Sequence, residues 1–143
     1  MGMDTQSDTR VGDLPLVAGE DLTGMEGLLV VLGNDAGKPV VARPVTDDAL
    51  PGYLLVEGAA AGEAATVRPM DPGRNVRIRL VGSCVPGDVL VLAVTGLEIN
   101  RGKVMKLPVA AGTYRGLAIA EQAGETGQLV LARPMAVGNI EVV

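Results

Sequence analysis

Side chains able to perform acid–base or nucleophilic chemistry are few in this sequence of 143 residues. Carboxylates stand side by side at Glu20-Asp21 and at Asp47-Asp48, and a single thiol stands at Cys84. Adjacent carboxylates on a chain do not generally converge on one substrate, so both pairs are expected in solvated turns. Because the chain has no histidine, Cys84 lacks the usual activating base and is expected to be a small core residue. We therefore expect no enzymatic activity, no cofactor and no metal site.

One lysine points to a different chemistry, the covalent attachment of a prosthetic group. Residues 102–107 (GKVMKL) are similar to the Met-Lys hairpin of biotinyl and lipoyl carrier domains, which would place the modified amine on Lys106. In those carriers the lysine stands at the tip of a tight turn, whereas here the turn residues 100–102 (NRG) lie upstream and Pro108 follows closely. We therefore expect Lys106 to lie within a strand, and a carrier domain stays an alternative hypothesis.

The elements that would position any site are short β-strands. Hydrophobic residues make up 48% of the chain, and its 20 glycines and 9 prolines are spread along it, which is typical of a folded, turn-rich protein. Short runs rich in valine, leucine and isoleucine are separated by Gly, Pro, Asn and Asp, the pattern of an all-β fold. Strands are predicted near residues 28–32, 40–43, 53–57, 65–68, 76–81, 89–94, 103–107, 115–121, 128–133 and 139–143.

Two of the predicted strands differ in whether one face or both faces are expected to be buried. Residues 76–80 (VRIRL) alternate strictly, so one face is expected to be buried while Arg77 and Arg79 point the other way. Residues 89–94 (VLVLAV) are apolar on both faces, which suits a central or interface strand.

The sequence also repeats itself. A stretch near residues 28–70 recurs near residues 89–135 at an offset of roughly 62 to 65 positions. The matching positions are Lys38 and Lys103, Pro44 and Pro108, Gly52 and Gly116, Glu57 and Glu121, and the Arg-Pro-Met triplets at 68–70 and 133–135. We expect two small curved β-units, with turns at Gly37 and Gly102, that share one core. Together they form a small barrel-like body, a single β domain over residues 14–143.

The N-terminal segment before this body lacks the residue pattern that predicts strands. Residues 1–13 (MGMDTQSDTRVGD) show neither strand nor helix periodicity. Ordering such a segment costs roughly 1 to 2 kcal/mol per residue in backbone entropy, which its small apolar surface cannot offset. We expect an extended, flexible N-terminal arm that only a partner can order. The candidate binding residues of the arm are Asp4, Thr5, Gln6, Ser7, Asp8, Thr9, Arg10 and Val11.

Charge and hydropathy narrow the classes of partner. Twelve basic residues against 17 acidic ones give a net charge of −5, so a nucleic-acid partner is not expected. No run approaches the roughly 20 apolar residues of a membrane span, and the N-terminus lacks the pattern of a secretory signal peptide. A lone cysteine cannot form an internal disulfide, which fits a protein made in the cytoplasm.

The second half of the sequence resembles one structural family. Residues 86–91 (PGDVLV), 102–104 (GKV) and 114–124 (YRGLAIAEQAG) resemble, in this order, the strand and turn motifs of head-decoration (capsid cement) proteins of tailed bacteriophages. The resemblance implies a structural virion protein, made in the host cytoplasm, that forms homotrimers on the outer capsid surface and stabilises it. It also implies that arm residues 4–11 reach the major capsid protein. Another virion component, such as a head-fibre base, stays open as an alternative.

Overall fold

The computed structural model describes residues 12–47, 49–94 and 96–143, apart from the side chain of Val137. These ranges are built almost entirely of β-strands, which confirms the predicted all-β class, and a short 3-10 turn spans Glu98–Asn100. The strands are β1 (Leu14–Ala18), β2 (Leu29–Asp35), β3 (Lys38–Ala42), β4 (Tyr53–Glu57), β5 (Ala64–Pro69), β6 (Val76–Val81), β7 (Val89–Leu92), β8 (Val104–Lys106), β9 (Gly112–Ala120) and β10 (Leu129–Val142).

The strands form two closed barrels with the same connectivity. The first barrel has the order β1-β3-β2-β4-β5, and the second has the order β6-β8-β7-β9-β10. In each barrel the first strand pairs in parallel with the third and antiparallel with the fifth, and all remaining pairs are antiparallel. Because closing a sheet removes its edges, each unit satisfies most of its strand hydrogen bonds internally.

The repetition extends to the turns. The turn before the third strand of each unit contains a glycine with a φ of +87°, Gly37 in the first barrel and Gly102 in the second. Gly62 donates its backbone N–H to the carbonyl of Ala18 (2.8 Å), and Gly127 likewise donates to Leu80 (2.9 Å). Each barrel also contains one strand, β1 or β6, that precedes the stretch in which the sequence visibly repeats. The structural repeat therefore begins before residue 28 in the first unit and before residue 89 in the second.

Each barrel has a core, and two leucines connect the cores. The interior of the first barrel includes Val30, Val41, Leu55 and Val67, and that of the second includes Ile78, Leu80, Leu90, Val104 and Val130. Leu29 on β2 and Leu54 on β4 lie opposite each other in register, yet both pack with the core of the second barrel. Side chains alternate along a strand, so β2 and β4 bury one face within their own barrel and the other between the barrels. Burying each leucine contributes about 2 kcal/mol.

Polar contacts complete this junction. Leu29 donates its backbone N–H to the carbonyl of Gly102 (2.8 Å), and Arg79 donates its backbone N–H to the carbonyl of Gly27 (2.9 Å). The guanidinium of Arg43, which follows β3, binds one carboxylate beside the first barrel and another in the 3-10 turn of the second. Its Nη2 lies 2.8 Å from Glu20 Oε1 and 3.3 Å from Glu98 Oε1. The two barrels are thus fixed against each other by backbone as well as side-chain contacts.

Candidate association surface

The carboxylates singled out from the sequence do not form a reactive site. Both oxygens of Glu20 are used by Arg43, whose backbone N–H and Nη2 donate to them at 2.7 and 2.8 Å. Burial opposes ionisation of Glu20, but the hydrogen bonds from Arg43 outweigh burial and lower its pKa. Hydrogen bonding from the side chain of Thr23 and from its backbone N–H (3.1 Å) lowers the pKa of Asp21. Asp48 lies outside the described residues.

Neither a metal-ligating cluster nor a membrane-spanning helix is found in the part of the chain that the structure describes. The residues that the structure describes contain no group of three or more His, Cys, Asp or Glu side chains able to hold a metal ion. They also contain no helix that is long and apolar enough to cross a membrane.

Cys84 is a core residue, as expected from the sequence. Its side chain is 4% exposed and belongs to the apolar cluster of the second barrel. Burial raises the pKa of the thiol, which keeps it protonated at neutral pH and therefore a weak nucleophile.

Lys106 occupies the end of a paired strand and not the tip of a hairpin. It is the last residue of β8 and lies opposite Leu90 of β7 in register. Its ammonium lies 3.7 Å from Asp88 Oδ2 and is largely exposed. The glycine turn of this hairpin lies upstream, at Gly102, as predicted. This geometry differs from the turn-tip lysine that a carrier domain presents.

Large apolar side chains are exposed on three connecting segments. These segments join β3 to β4, β7 to β8, and β8 to β9. Their exposed residues are Val45, Leu50, Val94, Leu97, Ile99 and Val109, with exposures from 51% at Val94 to 93% at Val109. We refer to these six residues as the apolar face.

Specific contacts hold the three segments in place. Arg43, just before Val45, donates from Nη1 to the carbonyl of Glu98 (3.5 Å) and so joins the first segment to the second. The hydroxyl of Tyr114 donates to the carbonyl of Ala110 (3.0 Å), which fixes the third segment to β9. The exposed apolar side chains are therefore carried by anchored loops.

A cleft of about 380 Å³ opens beside the apolar face, and both barrels contribute to it. Its walls are Asp47, Ala49, Leu92, Val94, Met105, Thr113, Tyr114, Arg115, Leu117 and Asn139. Apolar walls with a few polar groups at the rim are typical of surfaces that bind other proteins or small ligands.

A two-stranded ribbon borders the cleft. Residues 112–116 of β9 pair with residues 138–142 of β10. In the registers of the described strands, β9 pairs with β7 as far as Gly116 and β10 pairs with β6 as far as Ala132. The ribbon therefore extends past the closed part of the barrel, and its outer backbone groups can accept a further strand.

The root of the N-terminal arm is described, although candidate residues Asp4 to Val11 lie outside the described residues. Asp13, which precedes β1, binds Arg68 of β5 through two parallel hydrogen bonds, Nε to Oδ1 at 2.8 Å and Nη2 to Oδ2 at 3.0 Å. The hydrogen bond from Arg68 lowers the pKa of Asp13, and the same pairing raises the pKa of Arg68. A bidentate ion pair thus fixes the position at which the chain enters the first barrel.

The apolar face was not predicted from the sequence. Its side chains lie in connections, and a run such as Leu97-Glu98-Ile99 contains the same residue types that fill the core. The available signal was the position of these residues between predicted strands, where large apolar groups have no strand face to bury.

Comparison with known proteins is informative at the level of fold. No family model and no curated protein matches this sequence. The structure is similar to the crystal structure of the head fiber gp8.5 N base in bacteriophage phi29, with a TM-score of 0.65 and 15% sequence identity. The similarity covers 86% of this chain and 92% of that one. The chain therefore shares its fold with a phage head-fibre base.

Proposed function

We propose that this protein is a structural component of a tailed-bacteriophage virion that binds the major capsid protein on the outer surface of the capsid. The observation that carries the proposal is the fold shared with a phage head-fibre base over 86% of the chain. The resemblance of residues 86–124 to head-decoration proteins supports the same class on different grounds. The proposed role is adhesion and involves no catalysis.

The apolar face supports self-association. Six large apolar side chains, each more than half exposed, favour being covered by another protein, at about 25 cal/mol for each Å² of apolar surface removed from water. We propose that copies of this chain cover it in a homotrimer. The neighbouring ribbon of β9 and β10 offers unpaired backbone groups to the same contact.

The arm provides the proposed contact with the capsid. Residues 4–11 are rich in polar side chains, so backbone hydrogen bonds to a sheet of the coat protein are the contact that suits them best. The ion pair between Asp13 and Arg68 gives each arm a fixed starting point on the body. Three arms on one trimer would bind neighbouring coat subunits together, and their effective concentration would make weak individual contacts strong in sum.

Co-sedimentation with empty phage heads tests this function. The full-length chain is expected to run as a trimer, near three times 14.6 kDa, and to sediment with the heads. A variant lacking residues 2–11 keeps Asp13 and is expected to remain folded and trimeric but to stay in the supernatant. Failure of the full-length protein to bind heads would refute the proposed function. Unchanged binding by the truncated variant would refute only the role of the arm.

Two roles within this class can be separated by heating. A capsid cement raises the temperature at which heads release their contents, because it links coat subunits that otherwise separate. The base of a head fibre binds without that effect and has a second virion protein as its neighbour. Heads with and without the bound protein, compared by a dye that reports released DNA, distinguish stabilisation from attachment alone.

A further inference from the structure

Arginine residues of this acidic protein are concentrated at the junction of the barrels. The net charge is −5, yet four arginines lie between positions 68 and 79. Three of them, Arg68, Arg74 and Arg77, line one groove of about 440 Å³ between the barrels. Leu129 and Leu131 of β10 line the same groove. We refer to these five residues as the arginine groove.

Two of these guanidinium groups form no direct ion pair in the part of the chain that the structure describes, although the charge of Arg74 helps from a longer distance to lower the pKa of Asp13. Arg77 donates to two neutral acceptors at long distances, the side-chain oxygen of Gln122 (3.3 Å) and the carbonyl of Leu129 (3.5 Å). Arg74 forms no side-chain hydrogen bond or ion pair there. The one carboxylate lining the groove, Glu26, accepts the backbone N–H of Gly58 (2.9 Å). The positive charge of Arg74 and Arg77 is thus left for another molecule to neutralise.

Arg68 shows which ligand this surface accommodates. It holds the carboxylate of Asp13 through two parallel hydrogen bonds at 2.8 and 3.0 Å, the geometry that matches a guanidinium to a carboxylate. Asp13 reaches Arg68 from a chain segment that runs along the barrel surface into β1. A carboxylate is therefore already bound to one of the arginines that line the groove.

The rest of the groove alternates cations with apolar side chains. In the pairing of β6 with β10, Arg77 lies opposite Leu131 and Arg79 lies opposite Leu129, with all four on the outer face. Leu129 is 42% exposed. Arg79 is engaged with the carbonyl of Glu26 (2.6 Å), which leaves Arg77 and Arg74 available. An extended peptide with alternating carboxylate and apolar side chains matches this pattern.

We propose that the arginine groove binds an extended acidic segment of the coat protein, with carboxylates on Arg74 and Arg77 and apolar side chains against Leu129 and Leu131. A protein carboxylate is favoured as the ligand because Arg68, in the same groove, already binds one, that of Asp13. The identity of the partner rests on the proposed function, whereas the chemistry of the groove does not.

A labelled peptide tests the groove without any capsid. The probe is a fluorescein-labelled peptide of alternating Asp and Leu, and its neutral counterpart has Asn in place of each Asp. Fluorescence anisotropy is expected to show binding of the Asp peptide at least about tenfold tighter than the Asn peptide, and weakening with added salt. The double variant Arg74→Glu/Arg77→Glu is expected to lose at least about tenfold in affinity.

A matched control separates local from general charge effects. The double variant Lys38→Glu/Lys103→Glu makes the same change in net charge at the equivalent turns of the two barrels and is expected to bind the Asp peptide like the wild type. Equal loss in both double variants, with both folded by circular dichroism, would overturn the proposal. So would tighter binding of a DNA duplex than of the Asp peptide. Tighter peptide binding after deletion of residues 2–11 would also overturn it, because the chain's own arm would then be the occupant.

Sedimentation with empty heads distinguishes the groove from the proposed function. If Arg74→Glu/Arg77→Glu weakens both peptide and head binding, the coat protein is supported as partner. If heads bind both proteins equally well, the groove is refuted as a capsid contact while the proposed function stands. If the peptide binds but heads do not bind the wild type, the acidic-peptide site stands and the proposed function fails.

Discussion

Replacing Gly102 by alanine tests whether close backbone contact between the barrels holds the fold together. A Cβ at this position would lie 2.7 Å from the carbonyl oxygen of Leu29 and 3.1 Å from the Cβ of Leu28. The first atom belongs to the first residue of β2 and the second to the residue before it, and neither is the far end of a flexible side chain that could turn away. The same backbone is held by the hydrogen bond from Leu29 to the carbonyl of Gly102 (2.8 Å). The added methyl group must therefore push the barrels apart or distort the turn.

The structurally equivalent Gly37 provides the matched control. Both glycines have a φ of +87°, but a Cβ added at Gly37 would meet nothing within 4 Å. Gly37→Ala should cost only the conformational strain of an L-residue in the left-handed region, roughly 1 to 2 kcal/mol. Gly102→Ala adds the cost of overpacking, about 1 to 3 kcal/mol. The free energy of unfolding should thus fall by roughly 2 to 5 kcal/mol at the junction.

Thermal unfolding followed by circular dichroism measures the difference. With roughly 4 °C per kcal/mol for a chain of this size, Gly37→Ala should lower Tm by about 4 to 8 °C and Gly102→Ala by about 8 to 20 °C. All variants are compared at one protein concentration, because self-association makes Tm depend on it. Equal shifts for the two variants would refute the reasoning, since they would mean that the junction accommodates the methyl group without resistance.

Three further predictions address the ion pair, the apolar face and the thiol. Although burial opposes ionisation, Arg43 lowers the pKa of Glu20 from its ordinary value, so the ion pair stabilises the protein at neutral pH and this stabilisation is lost as the pH falls through the lowered pKa. Arg43→Met should therefore lower Tm by roughly 4 °C at pH 7, and melts at a series of pH values should show this gap narrowing on acidification. Ile99→Asp should convert the proposed trimers to monomers in light scattering, whereas Leu32→Asp, at a residue that is also more than half exposed but lies outside the apolar face, should not. Dissociation by both variants would contradict the assignment. Cys84 should react with a thiol reagent at least about tenfold more slowly in the native protein than in urea, and equal rates would contradict its burial.

Local patterns in the sequence were sufficient to predict the class of fold. Gly, Pro, Asn and Asp favour tight turns, whereas valine and leucine favour buried strands. Runs rich in valine and leucine that are separated by these turn residues therefore correspond to strands. The pairing of Lys38 with Lys103 predicted equivalent turns, and Gly37 and Gly102 do share one φ. The fully apolar run at 89–94 was expected to form a central or interface strand; Leu90, Val91 and Leu92 are buried, whereas Val94 lies beyond the end of β7 and is 51% exposed.

Features that depend on tertiary contacts could not be predicted in this way. The strand β1 was missed because Pro15 and the brevity of the run weaken its pattern, while its pairing with β3 and β5 is non-local. Two predicted strands near 128–133 and 139–143 are one strand, β10, because its pairing with β9 continues across a register shift between Pro134 and Gly138. The leucines that join the barrels, Leu29 and Leu54, cannot be told from ordinary core leucines until both barrels are in place.

The two barrels share a connectivity but have diverged in what their equivalent positions do. Gly37 lies at an open turn, whereas Gly102 lies against the other barrel. The equivalent turns are therefore a surface loop in the first unit and a contact between the barrels in the second. Arg68 binds Asp13 at the root of the arm, while its counterpart Arg133 binds Glu121 within the second barrel. The first unit thus fixes where the arm begins, and the second unit carries most of the apolar face and the extended ribbon. Equivalent positions can differ in this way because the backbone of each barrel is closed by its own strand pairs, so that a change in a surface contact of one unit leaves the strand pairing of the other in place.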